Sequence, residues 1–394
     1  MTFFKVECSI RIRKGKGFPD RPKIVWISRK VEVMSSELDN EQELPQQHAV
    51  TIHDVARAAG VTIGTVSKAL NGQGKLKEET RERVRAVALR LGFRPNDLAQ
   101  SLLRGRSFTV GLITTDSYGR FSIPLMSGIE DALGSAQISV FLCDARDDAV
   151  REQQHINSLL AKRVDGIIVT GRRIDARVPI DVGNTNTPVL YAYAQVKEAD
   201  ALCLLPDEAQ GARIATEHLL AHGRRRLAHI TGPSYFEAVQ LRQEAMRQVL
   251  KEHGLDLPGH RALAGPWQEA WGHRAVGFLL EMDPGIDGIF CGSDQIARGV
   301  VDALRERGVK VPADVAVVGF DNWEIIAAAT RPALTTVDMN LHELGRIAGT
   351  RLLAMIAGEK ASGIIRLPCS LIVRDSCGVH TLGTAERRKE DQGD

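Results

Sequence analysis

Residues 51–72, TIHDVARAAGVTIGTVSKALNG, contain two short helical patterns separated by a glycine. Thr51 is a typical N-cap, and apolar residues follow it at helical spacing. Gly60 can adopt the positive φ that ends such a helix, and Thr62 can cap a second helix that stops at Asn71. The second helix has only a thin apolar stripe, so most of its threonine, serine and lysine side chains are predicted to face outward.

A third helical pattern spans residues 78–91. Three short helices, the first two joined by a tight turn, are typical of a helix-turn-helix unit, although a generic helical bundle has the same pattern. Residues 51–106 contain 11 Lys and Arg against 5 Asp and Glu, whereas residues 107–394 contain 31 against 37. A short basic segment attached to an acidic remainder favours a module that binds a polyanion, with a solvated helical face as the alternative.

The composition indicates a globular chain. At 394 residues, with 43% hydrophobic and 25% charged side chains, the chain is long enough for two or three domains. No run approaches the roughly 18–20 apolar residues of a membrane helix, and the N-terminus lacks the apolar core of a signal peptide, so we expect a cytoplasmic protein. Cysteines without zinc-ligand spacing predict reduced thiols and neither a metal nor another cofactor. They are Cys8, Cys143, Cys203, Cys291, Cys369 and Cys377.

From residue 108 onward, short apolar runs alternate with helical patterns. The runs predicted to be buried strands are FTVGLITT, ISVFLC, DGIIVTG, TPVLYAY, RLAHITG, DGIFCG and VAVVGFD. The segments predicted to be helices are 122–136, 149–163, 207–222, 238–253, 270–282 and 294–307. This alternation predicts two α/β lobes built on mainly parallel sheets. Such sheets bind ligands at the C-terminal ends of their strands, so we expect a site in the loops that follow these runs.

Residues 92–106, GFRPNDLAQSLLRGR, connect the two regions. Pro95 breaks the preceding helix, Asn96 can cap a new one, and apolar residues up to Leu103 allow about two turns of helix. A helix of this length is marginal alone in water, so we expect it to fold against a partner chain or DNA.

TIHDVARAAGVTIGTVSKALNG, LGFRPNDLAQSLLRG and the strand TVGLI together resemble the LacI/GalR family of bacterial transcription regulators, and the likeness continues to about residue 377. The resemblance implies a small all-α helix-turn-helix domain, followed by a two-lobed periplasmic-binding-protein-like α/β domain with a ligand in its cleft. The predicted domains are a helix-turn-helix domain over 50–95, a hinge helix over 96–106, and an effector-binding and dimerisation domain over 107–377. Residues 1–49 and 378–394 are predicted to be a disordered extension and a disordered charged tail. For the extension, the alternative is a start codon placed too early, with translation beginning near Met34.

The resemblance also implies DNA contacts. In that family the second helix enters the major groove, while paired hinge helices insert a leucine into the minor groove. The inserted leucine falls on Leu102, and the contacts to bases or phosphates fall on Thr62, Ile63, Gly64, Thr65, Ser67, Lys68 and Asn71. Ile63-Gly64 departs from the larger polar pair of the best-known members, so hydrogen-bond readout of bases is expected to be weak there.

Three effector contacts implied by the resemblance each have a second interpretation. Arg242 matches an arginine that points into the cleft and can bind vicinal hydroxyls or a carboxylate, but it could be a surface residue. Trp267 matches an aromatic residue that stacks on a sugar or a base, but it could be a packing residue between domains. Asp321 matches a carboxylate that accepts ligand hydrogen bonds, but Asp-Asn pairs also form turns.

Four further effector candidates lie at other strand ends. Ser293 and Asp294 follow DGIFCG, where Asp294 is equally suited to be a helix N-cap. Phe121 is a weaker candidate, because its loop is one residue longer than in a purine-binding relative. Tyr193 falls where several sugar-binding members have an acidic residue, which argues against a plain hexose.

We therefore predict a DNA-binding transcriptional repressor that is not an enzyme. It is expected to bind a palindromic operator in double-stranded DNA as a homodimer, to respond to a small-molecule effector, and to have no membrane partner. A sugar is favoured over a nucleoside. No GxSxG, P-loop, HExxH or strand-associated GxGxxG motif supports an enzyme. A solute-binding receptor is opposed by the basic segment and by the missing signal peptide, whereas an activator stays open because the sign of regulation depends on operator position.

Overall fold

The computed structural model describes residues 50–72, 74–93, 106–134, 136–198 and 200–378. They fall into two compact units that divide after residue 94. Three predicted segments lie outside these ranges: the extension over 1–49, the hinge helix except for its last residue, and the tail after residue 378. Leu102 is in the second of these segments. Within the ranges, no helix has both the length and the apolar character needed to cross a bilayer.

The first unit is built from α1 (Ile52–Ala59), α2 (Ile63–Leu70) and α3 (Glu78–Leu91). The three predicted helices are therefore confirmed. Apolar side chains from all three helices pack into a single core. Its buried residues are Val55, Ala56, Ala59, Val66, Ala69, Val84, Val87 and Ala88.

Local hydrogen bonds set the ends of α1 and α2. The Asp54 carboxylate accepts a hydrogen bond from the Thr51 amide at 3.0 Å, which satisfies a donor at the start of α1. Gly60 ends α1 with a φ of 65°, a conformation that glycine adopts without a steric penalty. The Thr62 hydroxyl accepts a hydrogen bond from the Thr65 amide at 3.2 Å and so caps α2.

The second unit alternates strands and helices along most of its length. Its strands are β1 (Thr109–Thr114), β2 (Ser139–Asp144), β3 (Gly166–Thr170), β4 (Ala176–Arg177), β5 (Val189–Ala192), β6 (Gln195–Val196), β7 (Leu202–Pro206), β8 (Leu227–Thr231), β9 (Ala262–Ala264), β10 (Gly288–Cys291), β11 (Ala316–Phe320), β12 (Thr335–Asp338), β13 (Gly363–Leu367) and β14 (Ser370–Ile372). Its helices are α4 (Ser122–Gly134), α5 (Ala149–Ala161), α6 (Glu208–Ala221), α7 (Glu237–Glu252), α8 (Glu269–Met282), α9 (Asp294–Glu306), α10 (Glu324–Ala327) and α11 (Leu341–Ile356).

These strands form two six-stranded sheets, which define an N-terminal and a C-terminal lobe. The N-terminal sheet has the order β13-β7-β5-β3-β1-β2, and all of its neighbours are parallel. The C-terminal sheet has the order β14-β12-β11-β10-β8-β9, in which only β12 and β14 are antiparallel. The chain passes between the sheets after β7, after β12 and after β13. The predicted α/β architecture with parallel sheets is confirmed.

The central strands are buried on both faces. Every residue of β3, β7, β8, β10 and β11 is buried, as expected for parallel strands that helices cover on two sides. The edge strand β2 differs, because Phe141 and Leu142 remain 45% and 49% exposed. Polar side chains can therefore face ligands mainly at the strand ends.

Glycines allow pairs of helices to pack with their backbones in contact. A Cβ atom on Gly128 of α4 would overlap the carbonyl oxygen of His342 in α11, and one on Gly345 of α11 would overlap that of Leu125 in α4. Gly299 of α9 is equally close to the backbone of α8. Each lobe thus has one helix pair whose packing depends on the absence of a side chain.

We expect Gly128→Ala to lower the free energy of unfolding by about 1–3 kcal/mol, because the added methyl group must displace the backbone of α11. Gly134→Ala is the matched control in the same helix, since a Cβ there meets no atom within 4 Å. The control should be neutral or stabilising by up to about 1 kcal/mol. Urea unfolding of both variants tests this, and equal effects would contradict the packing argument.

Candidate functional site

One face of α2 carries the residues proposed from the sequence to contact DNA. Thr62, Gly64, Lys68 and Asn71 are exposed, and Ile63 is 41% exposed. The two remaining candidates, Thr65 and Ser67, are half-buried. Leu102 lies outside the described residues. The described candidates thus occupy one short helix whose other face, through Val66 and Ala69, is buried in the core of the unit.

Short-range contacts order several of these side chains. The hydroxyl oxygens of Thr62 and Thr65 lie 3.0 Å apart, and the Asn71 amide donates to the Ser67 hydroxyl at 3.3 Å. The aliphatic stem of Lys68 packs along Gly74. Hydroxyl, amide and ammonium groups held in this way can bond phosphates and base edges, and the exposed Ile63 can contact a thymine methyl group.

The effector candidates lie at the carboxyl ends of strands in both lobes. Phe121 follows β1 and Tyr193 follows β5 in the N-terminal lobe, whereas Asp321 follows β11 in the C-terminal lobe. Phe121 and Tyr193 are in contact, with ring centroids 4.9 Å apart. Tyr193 is almost fully buried, and this burial raises its phenol pKa above the ordinary value.

Arg120 joins the two lobes at this level, and the sequence patterns do not single it out. Its guanidinium forms a salt bridge with Asp321 and donates from Nη1 to the Gln295 side-chain oxygen at 3.1 Å. The guanidinium carbon lies 4.9 Å from the ring centroid of Phe121 and 5.0 Å from that of Trp323. An N-terminal-lobe cation is thus held by a carboxylate, an amide and two aromatic rings.

Arg242 is buried, and its guanidinium contacts protein groups. Its Nε donates to Glu208 Oε2 at 2.6 Å, and its Nη1 donates to the Gly292 carbonyl at 2.7 Å. Its guanidinium carbon lies 3.5 Å from the ring centroid of Phe320. The alternative interpretation of Arg242 as a surface residue is therefore wrong. A hydrogen bond from Arg242 to an effector would have to come from N–H groups that are not engaged in these contacts.

Asp294 and Ser293 are also occupied within the protein. Ser293 is the N-cap of α9, where its hydroxyl accepts from the Ile296 amide at 3.3 Å. The Asp294 carboxylate accepts from the Thr336 hydroxyl at 2.6 Å and from the Trp323 amide at 2.7 Å. Burial raises the pKa of Asp294 to about 6, against the lowering effect of these hydrogen bonds. Asp294 thus positions Trp323, which is one wall of the Arg120 site.

Trp267 packs on the backbone at the end of β8. Its indole ring lies against Gly232, where a side chain would overlap it, and it stacks with Phe236 at a centroid distance of 6.4 Å. Arg173 of the N-terminal lobe lies over the same Phe236 ring at 5.8 Å. A second aromatic cluster therefore contacts both lobes.

Several buried polar atoms near these strand ends have no hydrogen-bond partner among the described residues. They are Arg120 Nε, Thr170 Oγ1, Asp175 Oδ2, Gln195 Oε1, Glu208 Oε1 and Thr231 Oγ1. Buried polar groups are normally paired, so these atoms remain available to bond a polar ligand or ordered water. The described residues contain no group of three or more His, Cys, Asp or Glu side chains that could hold a metal ion.

Two family models match the chain. The model of bacterial regulatory proteins of the lacI family matches residues 51–96, and that of the periplasmic binding protein-like domain matches residues 216–377. The ribose operon repressor of Halalkalibacterium halodurans is 31% identical over 328 residues, which cover 83% of this chain and 96% of that protein. Catabolite control protein A of Priestia megaterium is 31% identical over 330 residues, 83% of this chain and 99% of that protein.

Solved structures resemble the chain over a similar length. The lac repressor dimer bound to operator and the anti-inducer ONPF superimposes with a TM-score of 0.67 at 26% identity, covering 84% of this chain and 99% of that one. The complex of the transcriptional regulator CelR with cellobiose gives a TM-score of 0.60 at 28% identity, covering 83% and 99%.

We expect Arg242→Ala to lower the free energy of unfolding of the second unit by about 3–5 kcal/mol, because it leaves the buried Glu208 carboxylate without a partner. Adding Glu208→Gln should recover part of this loss. Arg213→Ala, which breaks a more exposed pair with Glu252, is the control and should cost at most about 1 kcal/mol. Urea unfolding measures all three changes, and a small loss in Arg242→Ala would show that the buried pair is unimportant for folding.

Proposed function

Because the chain belongs to the LacI family of bacterial regulatory proteins, we propose that it is a transcriptional repressor that binds a palindromic operator as a homodimer and responds to a sugar. The curated relatives that it matches are regulators, so the chain is a regulatory protein and not an enzyme. The observation that carries the proposal is the exposed polar face of α2, which lies in the basic segment 51–106 that we call the head.

The operator part of the proposal rests on the charge and the shape of the head. The segment 51–106 has an excess of Lys and Arg, whereas the remainder after residue 106 has an excess of Asp and Glu. A helix of about two turns with small side chains on its outer face can enter a major groove closely. Binding is expected to combine phosphate contacts from cations with thymine contacts through Ile63, and with insertion of Leu102 into the minor groove.

Selection of bound sequences from random duplex DNA by the purified protein tests the operator part. We expect enrichment of a palindromic site, and addition of sugars or nucleosides to the same selection should reveal the compound that releases or strengthens binding. Failure to enrich any sequence even at low salt would reject operator binding.

Lys68→Ala tests the docking face of α2 directly. If Lys68 contacts a phosphate, the dimer loses two such contacts, so binding to all sequences should weaken and the steepness of log K against log salt should fall by about 2. Loss of a guanine contact should instead mainly relax the sequence preference. Lys251→Ala, which removes an exposed charge at the end of α7, is the control and should bind like the wild type. Fluorescence anisotropy with the selected duplex at several salt concentrations measures both, and unchanged binding by Lys68→Ala would argue against this face.

The dimer part of the proposal is supported by the edge of the N-terminal sheet. Edge strands with exposed apolar residues tend to associate, and β2 exposes both Phe141 and Leu142 at this edge. The first residues of α4 add Ile123, which is also exposed. A two-fold arrangement of these surfaces would give each operator half-site one head.

Phe141→Asp should shift the protein from dimer to monomer, because two carboxylates would then face each other across the two-fold axis. Val178→Asp places the same charge on an exposed apolar site away from β2 and is the control. Sedimentation velocity gives the oligomeric state, and DNA affinity should fall with the loss of the dimer. A tetramer that is independent of concentration, or a dimeric Phe141→Asp, would contradict this arrangement.

The effector part of the proposal is supported by the strand ends at which residues of the two lobes meet. The strand ends there combine aromatic rings with buried carboxylate, amide and guanidinium groups, a combination suited to a ligand with apolar faces and hydroxyl edges. Similarity to a ribose operon repressor and to a regulator in complex with cellobiose favours a sugar over a nucleoside. Ligand and operator would then select between two arrangements of the lobes, so that each changes the affinity of the other.

A further inference from the structure

Arg120 and Asp321 form the only ion pair between the two lobes among the residues that the structure describes. Arg120 follows β1 of the N-terminal lobe, whereas Asp321, Gln295 and Trp323 belong to the C-terminal lobe. The side chains of Arg120 and Asp321 are only 13% and 6% exposed, so water screens their attraction weakly. We call the group formed by Asp321, Gln295, Trp323 and Phe121 the guanidinium box.

The guanidinium box has the features of a cation-binding site. The Asp321 carboxylate supplies the counter-charge, and the Gln295 side-chain oxygen accepts a hydrogen bond from the guanidinium. The two aromatic ring centroids lie within 6 Å of the guanidinium carbon. Asp321 has a φ of 107° and Asn322 one of 49°, both in the left-handed region that non-glycine residues rarely adopt. Such backbone strain is tolerated where the surrounding structure holds a functional group in place.

We propose that Arg120 determines the ligand specificity of the cleft by acting as the built-in occupant of the guanidinium box. This inference rests on the proposed function for the existence of an effector, but not for the properties of the box. A ligand that inserts between Arg120 and Asp321 must satisfy both groups. A neutral ligand with adjacent hydroxyls does so, because one hydroxyl donates to the carboxylate while another accepts from the guanidinium.

Charged ligands satisfy only one of the two groups. A cationic ligand is disfavoured because the Asp321 carboxylate is already paired with Arg120, whose positive charge repels the ligand. An anionic ligand can pair with Arg120 but leaves Asp321 buried without a counter-charge. The unpaired Nε of Arg120 adds a donor that a ligand oxygen can accept from, which again favours hydroxyl-bearing ligands. Removing the Arg120 guanidinium should therefore make the cleft bind cations, whereas removing the Asp321 charge should make it bind anions.

Arg120→Ala tests the gained preference for cations by chemical rescue. Titration with ethylguanidinium chloride, against sodium chloride of equal ionic strength, should produce a saturable change in tryptophan fluorescence and a rise in Tm. The expected dissociation constant is on the order of 10 mM, as for a ligand of a few heavy atoms. The wild type should not respond, because Arg120 occupies the box. Arg120→Ala/Asp321→Asn should lose the response.

Arg173→Ala is the matched control, because Arg173 also lies over an aromatic ring near the cleft. It should show no saturable response to ethylguanidinium. If Arg120→Ala responds no differently from this control and from the wild type, the box is not a cation site and the inference is overturned.

Asp321→Asn is the complementary variant. If Arg120→Ala does not fold, this variant still tests whether Arg120 and Asp321 form a charge-selective site. It leaves Arg120 without its counter-charge, so sodium acetate should stabilise this variant more than sodium chloride does, whereas the wild type should not distinguish the two salts. Equal effects of the two salts on Asp321→Asn would reject the proposal. Neither experiment contains DNA or an effector, so a negative result here leaves operator selection unaffected, and failure of that selection leaves the box intact.

Discussion

The parallel pairing of strands is the constraint on which the rest of the second unit depends. Parallel strands are covered on both faces, so their polar chemistry is confined to the strand ends. Both sheets place their carboxyl ends near the cleft, and the chain crosses between them three times. Residues far apart in sequence, such as Arg120 and Asp321, can meet there only because two such edges face each other.

Ionic groups in the cleft are neutralised largely in pairs. Arg242 pairs with Glu208, and Arg120 pairs with Asp321, while burial raises the pKa of Asp294 to about 6. The two ion pairs differ in what they join, since the first lies at the C-terminal sheet and the second connects the lobes. A ligand that replaces the direct bonds of the second pair would alter the arrangement of the lobes without leaving a buried charge alone. In the proposed function, this would link occupancy of the cleft to the conformation of the domain.

The sequence patterns predict the helices and most central strands because burial on one or two faces has a clear period. Strand β7 and helix α11 are absent from those predictions, although LCLLP is apolar enough to be a strand. Also absent are α10 and the strands β4, β6, β9, β12, β13 and β14. Asp321 and Tyr193 follow strands, as the pattern predicts. Pattern and resemblance alone cannot reveal which donors and acceptors are already paired within the protein, as they are in Arg242 and Asp294. The sequence patterns do not identify Arg120, because it lies in an irregular loop. They do not identify Glu208 either, because it resembles an ordinary glutamate in the first turn of a helix. Their roles arise from contacts across 201 and 34 residues of sequence.

The most direct test of ligand-controlled DNA binding is the measurement of both affinities in a single cycle. Operator affinity is measured by anisotropy with and without the effector that the selection identifies, and effector affinity by calorimetry with and without the operator duplex. We expect both affinities to change by the same factor, because coupling between two sites is reciprocal. An effector that binds in the cleft but leaves operator affinity unchanged would contradict regulation through this site.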